Sequence, residues 1–184
     1  MKVGVLALQG DFEAHGRLLE GAGAVAIQVR TTEDLSSADA LVIPGGESTT
    51  IGKLAAQYEL IEPIRDRAMN GMPVLGTCAG MIVCARWITE GDQPMLGLVD
   101  IKVRRNAYGR QVDSFEADIN VADIGTMHAV FIRAPVIDRI VGGVEVLSSY
   151  RDRAVVVRQD NVTLASFHPE LAGDDRLHRL ALGL

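Results

Sequence analysis

Four short segments in the first half of the chain are apolar along almost their whole length, and each ends in a polar or glycine-containing turn. Continuous apolar runs of this length are typical of strands buried on both faces of a parallel sheet. Helices cover both faces of such a sheet, so the pattern predicts a flavodoxin-like three-layer αβα fold. The four segments are VGVLAL (3–8), AVAIQV (24–29), ALVIP (40–44) and MPVLG (72–76).

Beyond about residue 95, strand-like segments follow one another with fewer helices between them. Some of these strands are expected to pair antiparallel, which makes the predicted sheet mixed but mostly parallel. Residues 174–184 carry leucine and alanine at helical spacing and predict a closing amphipathic helix. Because no linker or repeat is visible, we expect one domain over residues 1–184.

Charge and cysteine content exclude several classes of function. The formal net charge is −6, and the only basic cluster is Arg104, Arg105 and Arg110, which disfavours a nucleic-acid partner. No apolar stretch approaches the ~20 residues of a membrane span, and the N-terminal apolar run is too short for a signal peptide. Cys78 and Cys84 match no disulfide framework, zinc site or redox motif. We therefore expect a cytoplasmic protein without a metal or a membrane partner.

Cys78 lies in the sequence GTCAG, between a predicted strand and the segment MIVCARW, which has helical periodicity. This is the context of a nucleophile elbow, where glycines on either side allow a sharp turn and the thiol projects at a helix N-terminus. The alternative is a buried structural cysteine beside a tight turn. Cys84 falls in an apolar run, and we expect it to have a packing role.

A cysteine nucleophile needs a base, and the base needs a group that orients it. His168 follows the apolar run VTLASF, and Glu170 comes two residues later. In extended geometry these two side chains would point to the same side, so Glu170 could bond one ring nitrogen while the other faces Cys78. The alternative is an ordinary surface turn. The other histidines, expected at the surface or in satisfied core positions, are His15 and His178 on helical segments and His128 at the start of a strand.

Two further loops could take part in binding. The segment PGGESTT (44–50) also joins a strand to a helix, so its N–H groups could hold an anion or form part of an oxyanion hole. It lacks the spacing of a phosphate loop, and the alternative is a glycine turn with Ser48 or Thr49 capping the helix. The segment VRRNAYGRQVDSFE (103–116) is either a binding loop or a solvated hairpin.

Taken together, PGGES, GTCAG and HPE, in this order, resemble the class I glutamine amidotransferases. The blocks VGVLALQGD, PGGESTT, GTCAG, VRRNAYGRQVDSFE, VFIRAP and SFHPE span nearly the whole chain. They resemble most closely the branch that forms the glutaminase subunit of pyridoxal 5'-phosphate synthase.

The resemblance implies hydrolysis of L-glutamine to glutamate and ammonia. Cys78 would be the nucleophile, His168 would shuttle protons, and Glu170 would orient His168. Through the same resemblance, N–H groups of Ala79 and of the glycine turn at Gly46 would form the oxyanion hole. The residues implied to hold the amino-acid end of the substrate are Gly46, Glu47, Ser48, Arg105, Ile132 and Arg133.

The resemblance also implies a partner. In this family the ammonia passes to a barrel-shaped synthase subunit, and pyridoxal phosphate is the product of the complex, so we expect no cofactor on this chain. Gln9 matches a position that responds to docking of the synthase. We therefore expect weak activity until the synthase binds.

Three other interpretations remain open at this point. The chain could be a glutaminase for another synthase, such as that of imidazole glycerol phosphate, although the 103–116 loop argues against it. It could be an elbow-cysteine protein of the stress-response or glyoxalase-like type, although those lack the His-Pro-Glu ending. It could also be a non-catalytic binding subunit, although its triad is complete.

Overall fold

The computed structural model describes residues 1–105 and 114–184. In chain order the strands are β1 (Lys2–Leu6), β2 (Val25–Val29), β3 (Ala40–Ile43), β4 (Val74–Thr77), β5 (Ala85–Ile88), β6 (Val99–Arg104), β7 (Ser114–Val121), β8 (Gly125–Ile132), β9 (Val136–Ile140), β10 (Glu145–Tyr150), β11 (Arg153–Gln159) and β12 (Val162–Ala165). The helices are α1 (Phe12–Gly21), α2 (Thr32–Ser36), α3 (Ser48–Gln57), α4 (Ile61–Met69), α5 (Ala79–Cys84), α6 (Pro169–Ala172) and α7 (Arg176–Leu182).

In the described part of the chain, seven strands form a central sheet in the order β10-β11-β12-β4-β3-β1-β2. The five strands from β12 to β2 are parallel to their neighbours, whereas β10 and β11 extend the sheet antiparallel. The carboxyl ends of β1, β3, β4 and β12 therefore meet at one edge. In open α/β sheets this is the edge at which ligands bind.

Successive residues of the central strands point to opposite faces and form two separate cores. On β3, Leu41 packs in a core with residues of α2, α3, α4 and α5, whereas Val42 packs in a core with residues of α1 and α7. The sheet is thus covered by helices on both sides, which confirms the three-layer αβα prediction and explains why its strands are apolar throughout.

Two smaller sheets complete the described structure. Strands β5, β6 and β9 form one sheet, whose β6 side chains join the core containing α3. Strands β7 and β8 form a hairpin that packs on the opposite core, together with α7. Residues 106–113, which include Arg110 and most of the expected binding loop, lie outside the described residues.

Some predicted boundaries were wrong. The segment MIVCARW is not helical throughout, because α5 ends at Cys84 and the chain continues as strand β5. All six residues of α5 are buried, so this short helix has no polar side that faces solvent. The closing helix is also shorter than expected and ends at Leu182, where Gly183 adopts φ 72°. Within the described residues, no helix has the length and apolar character needed to cross a bilayer.

The double burial of the central strands leads to a first prediction. Leu41 is 0% exposed on a central strand, so Leu41→Ala should lower the free energy of unfolding by about 2–5 kcal/mol through lost burial and a cavity. Denaturant unfolding followed by circular dichroism measures this. Met69→Ala, at a side chain 75% exposed, is the control and should change the value by less than about 0.5 kcal/mol. Equal effects of the two substitutions would contradict the placement of Leu41.

Candidate active site

The candidate catalytic residues follow parallel strands at the common carboxyl edge of the sheet. Cys78 follows β4, His168 follows β12 after two residues, and Gly46 follows β3. Gln9 lies in the turn after β1. The parallel pairing of β3, β4 and β12 therefore brings together segments that are far apart in the sequence.

Cys78 occupies a sharp and strained corner between β4 and α5. Its backbone has φ 49° and ψ −104°, a combination that costs a non-glycine residue free energy. The corner is tightly enclosed: a Cβ on Gly80 would overlap the carbonyl of Ile43, and a Cβ on Gly76 would lie 2.8 Å from Leu164 Cδ2. The glycines therefore allow a close approach that larger residues would prevent, as expected for an elbow.

The thiol of Cys78 is 7% exposed and faces the end of β8, where its Sγ lies 3.7 Å from the carbonyl oxygen of Ile132. The next residue, Arg133, has φ 45°, which is also unfavourable for a bulky side chain. The backbone of Ile132 thus contacts Cys78, and Arg133 follows it directly in the chain. By contrast, Cys84 is fully buried, and burial raises the pKa of its thiol, as suits a packing role.

His168 and Glu170 lie beside the cysteine. The Nδ1 of His168 is 2.6 Å from Glu170 Oε1, and the side chain of Glu170 is 1% exposed. The expected side-chain contact is present, but the expected extended backbone is wrong. His168 is the N-cap of α6, with Pro169 at its first position, so Glu170 lies in a helical turn.

Gly45 separates the histidine from the elbow. A Cβ built on Gly45 would overlap the His168 ring and lie 3.4 Å from the Cβ of Cys78, so only glycine leaves the two side chains free to meet. Burial opposes protonation of His168, but hydrogen bonds with Cys78 and Glu170 outweigh it and raise the pKa from 6.5 to about 10. These contacts therefore favour the protonated form of the imidazole.

The glycine turn is tied to the turn after β1. The N–H of Glu47 donates to Gln9 Oε1 at 2.6 Å, and Gln9 also packs against the position where Gly46 would carry a side chain. Glu47 itself is the N-cap of α3, and its carboxylate accepts from the N–H groups of Thr49 and Thr50. These bonds lower the pKa of Glu47 against the opposing effect of burial. The cap is thus Glu47, and neither Ser48 nor Thr49 fills that position.

Arg105 reaches the start of α3. Its guanidinium donates to Thr49 Oγ1 at 2.9 Å and to Gln93 Oε1 at 3.3 Å. The same amide oxygen of Gln93 accepts from Ser48 Oγ at 3.2 Å. Gln93 therefore links Arg105 to the glycine loop, a role that no motif in the sequence indicated.

Sequence reasoning also missed the surroundings of Glu170. His15 and His178 are both 0% exposed, and the Nε2 of His15 lies 3.3 Å from the second carboxylate oxygen of Glu170. A signal was present, because His15 lies four residues before the buried Leu19 and so shares its inward face of α1. His128, in contrast, is exposed between Glu116 and Asp118 on the β7–β8 hairpin.

Comparison with known proteins decides the family. The sequence profile of the SNO glutamine amidotransferase family matches residues 5–182. The chain belongs to this family. It is therefore a glutamine amidotransferase.

Relatives of this chain are similar to it in sequence over nearly their whole length. The "Pyridoxal 5'-phosphate synthase subunit PdxT" of Herpetosiphon aurantiacus is 55% identical over 190 residues, which cover 100% of both chains. The subunit of the same name from Pelotomaculum thermopropionicum is 55% identical over 184 residues, covering 99% of this chain and 94% of that one.

Solved structures agree with the fold. The "Crystal structure of glutamine amidotransferase" superposes with a TM-score of 0.95 at 51% identity, covering 98% of this chain and 97% of the other. PurLQS from Thermotoga maritima shares the fold with a TM-score of 0.73 at 18% identity, covering 95% and 92%. The flavodoxin-like prediction is thus confirmed as the fold of a glutamine amidotransferase.

The charge state of His168 can be tested directly. In 15N-labelled protein its imidazole should titrate with a midpoint near pH 10. Cys78→Ala and Glu170→Gln should each lower that midpoint, because each removes a hydrogen bond that favours the protonated ring. The exposed His128 is the internal control, because Asp118 and Glu116 raise its pKa independently of Cys78. A His168 midpoint near 6.5 in the unsubstituted protein would contradict the proposed hydrogen bonds.

Proposed function

We propose that this chain is the glutaminase subunit of a pyridoxal 5'-phosphate synthase and that Cys78, His168 and Glu170 are its catalytic triad. The observation that carries the proposal is the alignment of a thiol on a strained elbow, a histidine beside it and a buried carboxylate 2.6 Å behind that histidine. The names of the relatives support the choice of synthase, and the family supports the choice of substrate.

In the proposed reaction the Cys78 thiolate attacks the side-chain amide carbon of L-glutamine, and the carbonyl oxygen becomes an oxyanion. The N–H of Ala79 and one from the turn at Gly46 stabilise that charge, and each such donor is worth about 100- to 1000-fold in turnover. His168 protonates the amide nitrogen, ammonia leaves, and a thioester remains. A water that gives its proton to His168 then hydrolyses the thioester, releasing glutamate and regenerating the thiolate.

The protonation of His168 suits this sequence of steps. With a pKa of about 10, the ring holds a proton at neutral pH before the substrate reacts, so it can act first as the general acid. Glu170 bonds the opposite nitrogen and fixes which nitrogen faces the thiol. The roles expected for the triad are therefore compatible with its geometry.

Substrate recognition is proposed to involve the loop at the start of α3 and the end of β8. Glu47 would suit the α-ammonium group of glutamine, and Arg105 or Arg133 the α-carboxylate. Gly46, Ser48 and Ile132 would complete the binding surface. The capping bonds of Glu47 and the bonds from Arg105 to Thr49 and Gln93 hold these groups in place before substrate arrives.

The nucleophile is tested by ammonia release from L-glutamine in the presence of the pyridoxal phosphate synthase subunit of the same organism. Cys78→Ala should lower kcat by at least about 1000-fold, because the bond-forming atom is lost. Cys84→Ala is the matched control: it removes the buried thiol of the same helix and should keep most of the activity. Comparable rates from the two variants would overturn the assignment of Cys78.

Activation by the partner is the second element of the proposal. Gln9 holds the N–H of Glu47, next to a turn that supplies an oxyanion donor, so a contact that moves Gln9 can change the oxyanion hole. We expect docking of a barrel-shaped synthase subunit to act at this point and to take up the ammonia. The product of the complex would be pyridoxal phosphate, with no cofactor on this chain.

Ammonia release should rise by about 5- to 150-fold when the synthase subunit is added, the usual range of coupling between sites. Gln9→Ala should reduce that rise, whereas Gln28→Ala, at a side chain on β2, should not. Rapid release by the chain alone would refute partner activation and leave the glutaminase assignment intact. No release with or without the subunit would refute the assigned reaction or partner.

A further inference from the structure

The carboxylate of Glu170 has two oxygens, and the proposed triad uses only one of them. Oε1 contacts His168, whereas Oε2 is buried and has no aligned hydrogen-bond donor among the described residues. The nearest nitrogen to Oε2 is the Nε2 of His15 on α1, at 3.3 Å. A buried carboxylate needs a donor or a positive charge near each oxygen, so the state of His15 decides how well Glu170 is stabilised.

Contacts from two other elements hold the His15 ring. Its Nδ1 lies 2.8 Å from the Nε2 of His178 on α7, and the two rings are tilted by 52°. Its Nε2 also lies 3.2 Å from the Oγ1 of Thr77, the residue immediately before the nucleophile. The ring is thus fixed between α1, α7 and the end of β4.

Both of these histidines are neutral at physiological pH. Burial lowers the pKa of His15 to about 4, although Glu170 opposes the change, and burial lowers the pKa of His178 to about 4 as well. The ionisable groups that face His15 are Glu170, His178 and His168, and Asp174 faces His178. A neutral imidazole has one N–H, so the position of each proton must follow from the contacts.

Only one arrangement of protons avoids two unfavourable contacts. A proton on His15 Nδ1 would leave a bare Nε2 that can accept from the Thr77 hydroxyl but whose lone pair lies 3.3 Å from the carboxylate. It would also make His178 Nε2 an acceptor and leave His178 Nδ1–H as a buried donor, with no partner in the described parts of the chain. When both rings carry their proton on Nε2, His178 donates to His15 Nδ1, and the Nε2–H of His15 faces Glu170 and Thr77. The ring nitrogen left without a partner among the described residues is then the unprotonated Nδ1 of His178.

We propose that His15, supported by His178, is a positioning residue that turns its Nε2–H towards Glu170 and keeps this carboxylate aimed at His168. The kinetic consequence of this inference rests on the proposed glutaminase function. The hydrogen-bond arrangement of His15, His178 and Glu170 does not depend on that function. When His168 gives its proton to the leaving ammonia, Glu170 loses its cationic neighbour, and the N–H of His15 remains. His15 should therefore affect kcat more than KM.

The kinetic test compares two substitutions of similar size in the complex with the synthase subunit. His15→Gln can place an amide N–H near the original Nε2, whereas His15→Met fills the space without a donor. We expect His15→Met to lower kcat about 10- to 100-fold, as is usual for partners that orient a functional ligand, with little change in KM. The acid limb of the kcat profile should move to higher pH, and His15→Gln should restore most of both.

A purely packing role gives a different result. In that case the Gln and Met variants would lose activity equally, or not at all, with an unchanged pH profile, and the proposal would be overturned. If His15→Met does not fold, His178→Phe keeps a ring and removes only the donor to His15. It should then shift the acid limb in the same direction by a smaller amount, and an unshifted limb would count against the proposal. His128→Gln, at the exposed histidine, is the control and should leave kcat unchanged.

A second measurement does not depend on activity. The 15N shifts of histidine-labelled protein distinguish the two neutral forms of each ring. At pH 7 both His15 and His178 should carry their proton on Nε2, and a proton on Nδ1 of His15 would overturn the inference even in an active enzyme. Conversely, the expected shifts in a protein that releases no ammonia would reject the proposed function and leave the hydrogen-bond arrangement in place.

Discussion

The close approach of the β4–α5 corner to its two neighbouring strands is the constraint on which the site depends. Gly80 lies against the carbonyl of Ile43 on β3, and Gly76 lies against Leu164 on β12. Because no side chain separates these elements, the corner can turn within one residue, and that residue is forced to φ 49°. The strain is concentrated at Cys78, where the thiol must project from the sheet edge, and the packing of both cores holds it there.

This constraint also explains why His168 lies where it does. Its strand, β12, pairs in parallel with β4, with Ala165 opposite Thr77, so the segments that follow the two strands leave the sheet side by side. Gly45, at the end of β3, keeps the space between them free of side chains. The proximity of Cys78 and His168 is therefore a result of strand order.

The sequence was sufficient to predict the fold class and to place the candidate site residues after the strands. Apolar runs identify strands buried on both faces, and glycines next to a cysteine identify a sharp corner, because both signals depend only on local sequence. The length of α5 and the helical start at Pro169 were not predictable in this way, since tertiary packing decides where a short helix begins and ends.

Gln93, His15 and His178 were missed for a different reason. Their contacts join elements that are distant in the sequence, and nothing in the local pattern shows which group a buried polar side chain faces. His15 was visible as a histidine on an inward helix face, but its partner on α7 was not. The substrate-binding assignments still depend on resemblance for the same reason, because side-chain direction is set by the whole fold.

The contact between His15 and His178 joins the first helix to the last one, across 163 positions of the chain. Helices at the end of a chain open locally more readily than the core of a sheet. When α7 opens, the His15 ring loses its contact with His178, while the central sheet still holds Cys78 and His168 in place. Local opening of the last helix therefore loosens the environment of the Glu170 carboxylate without unfolding the sheet.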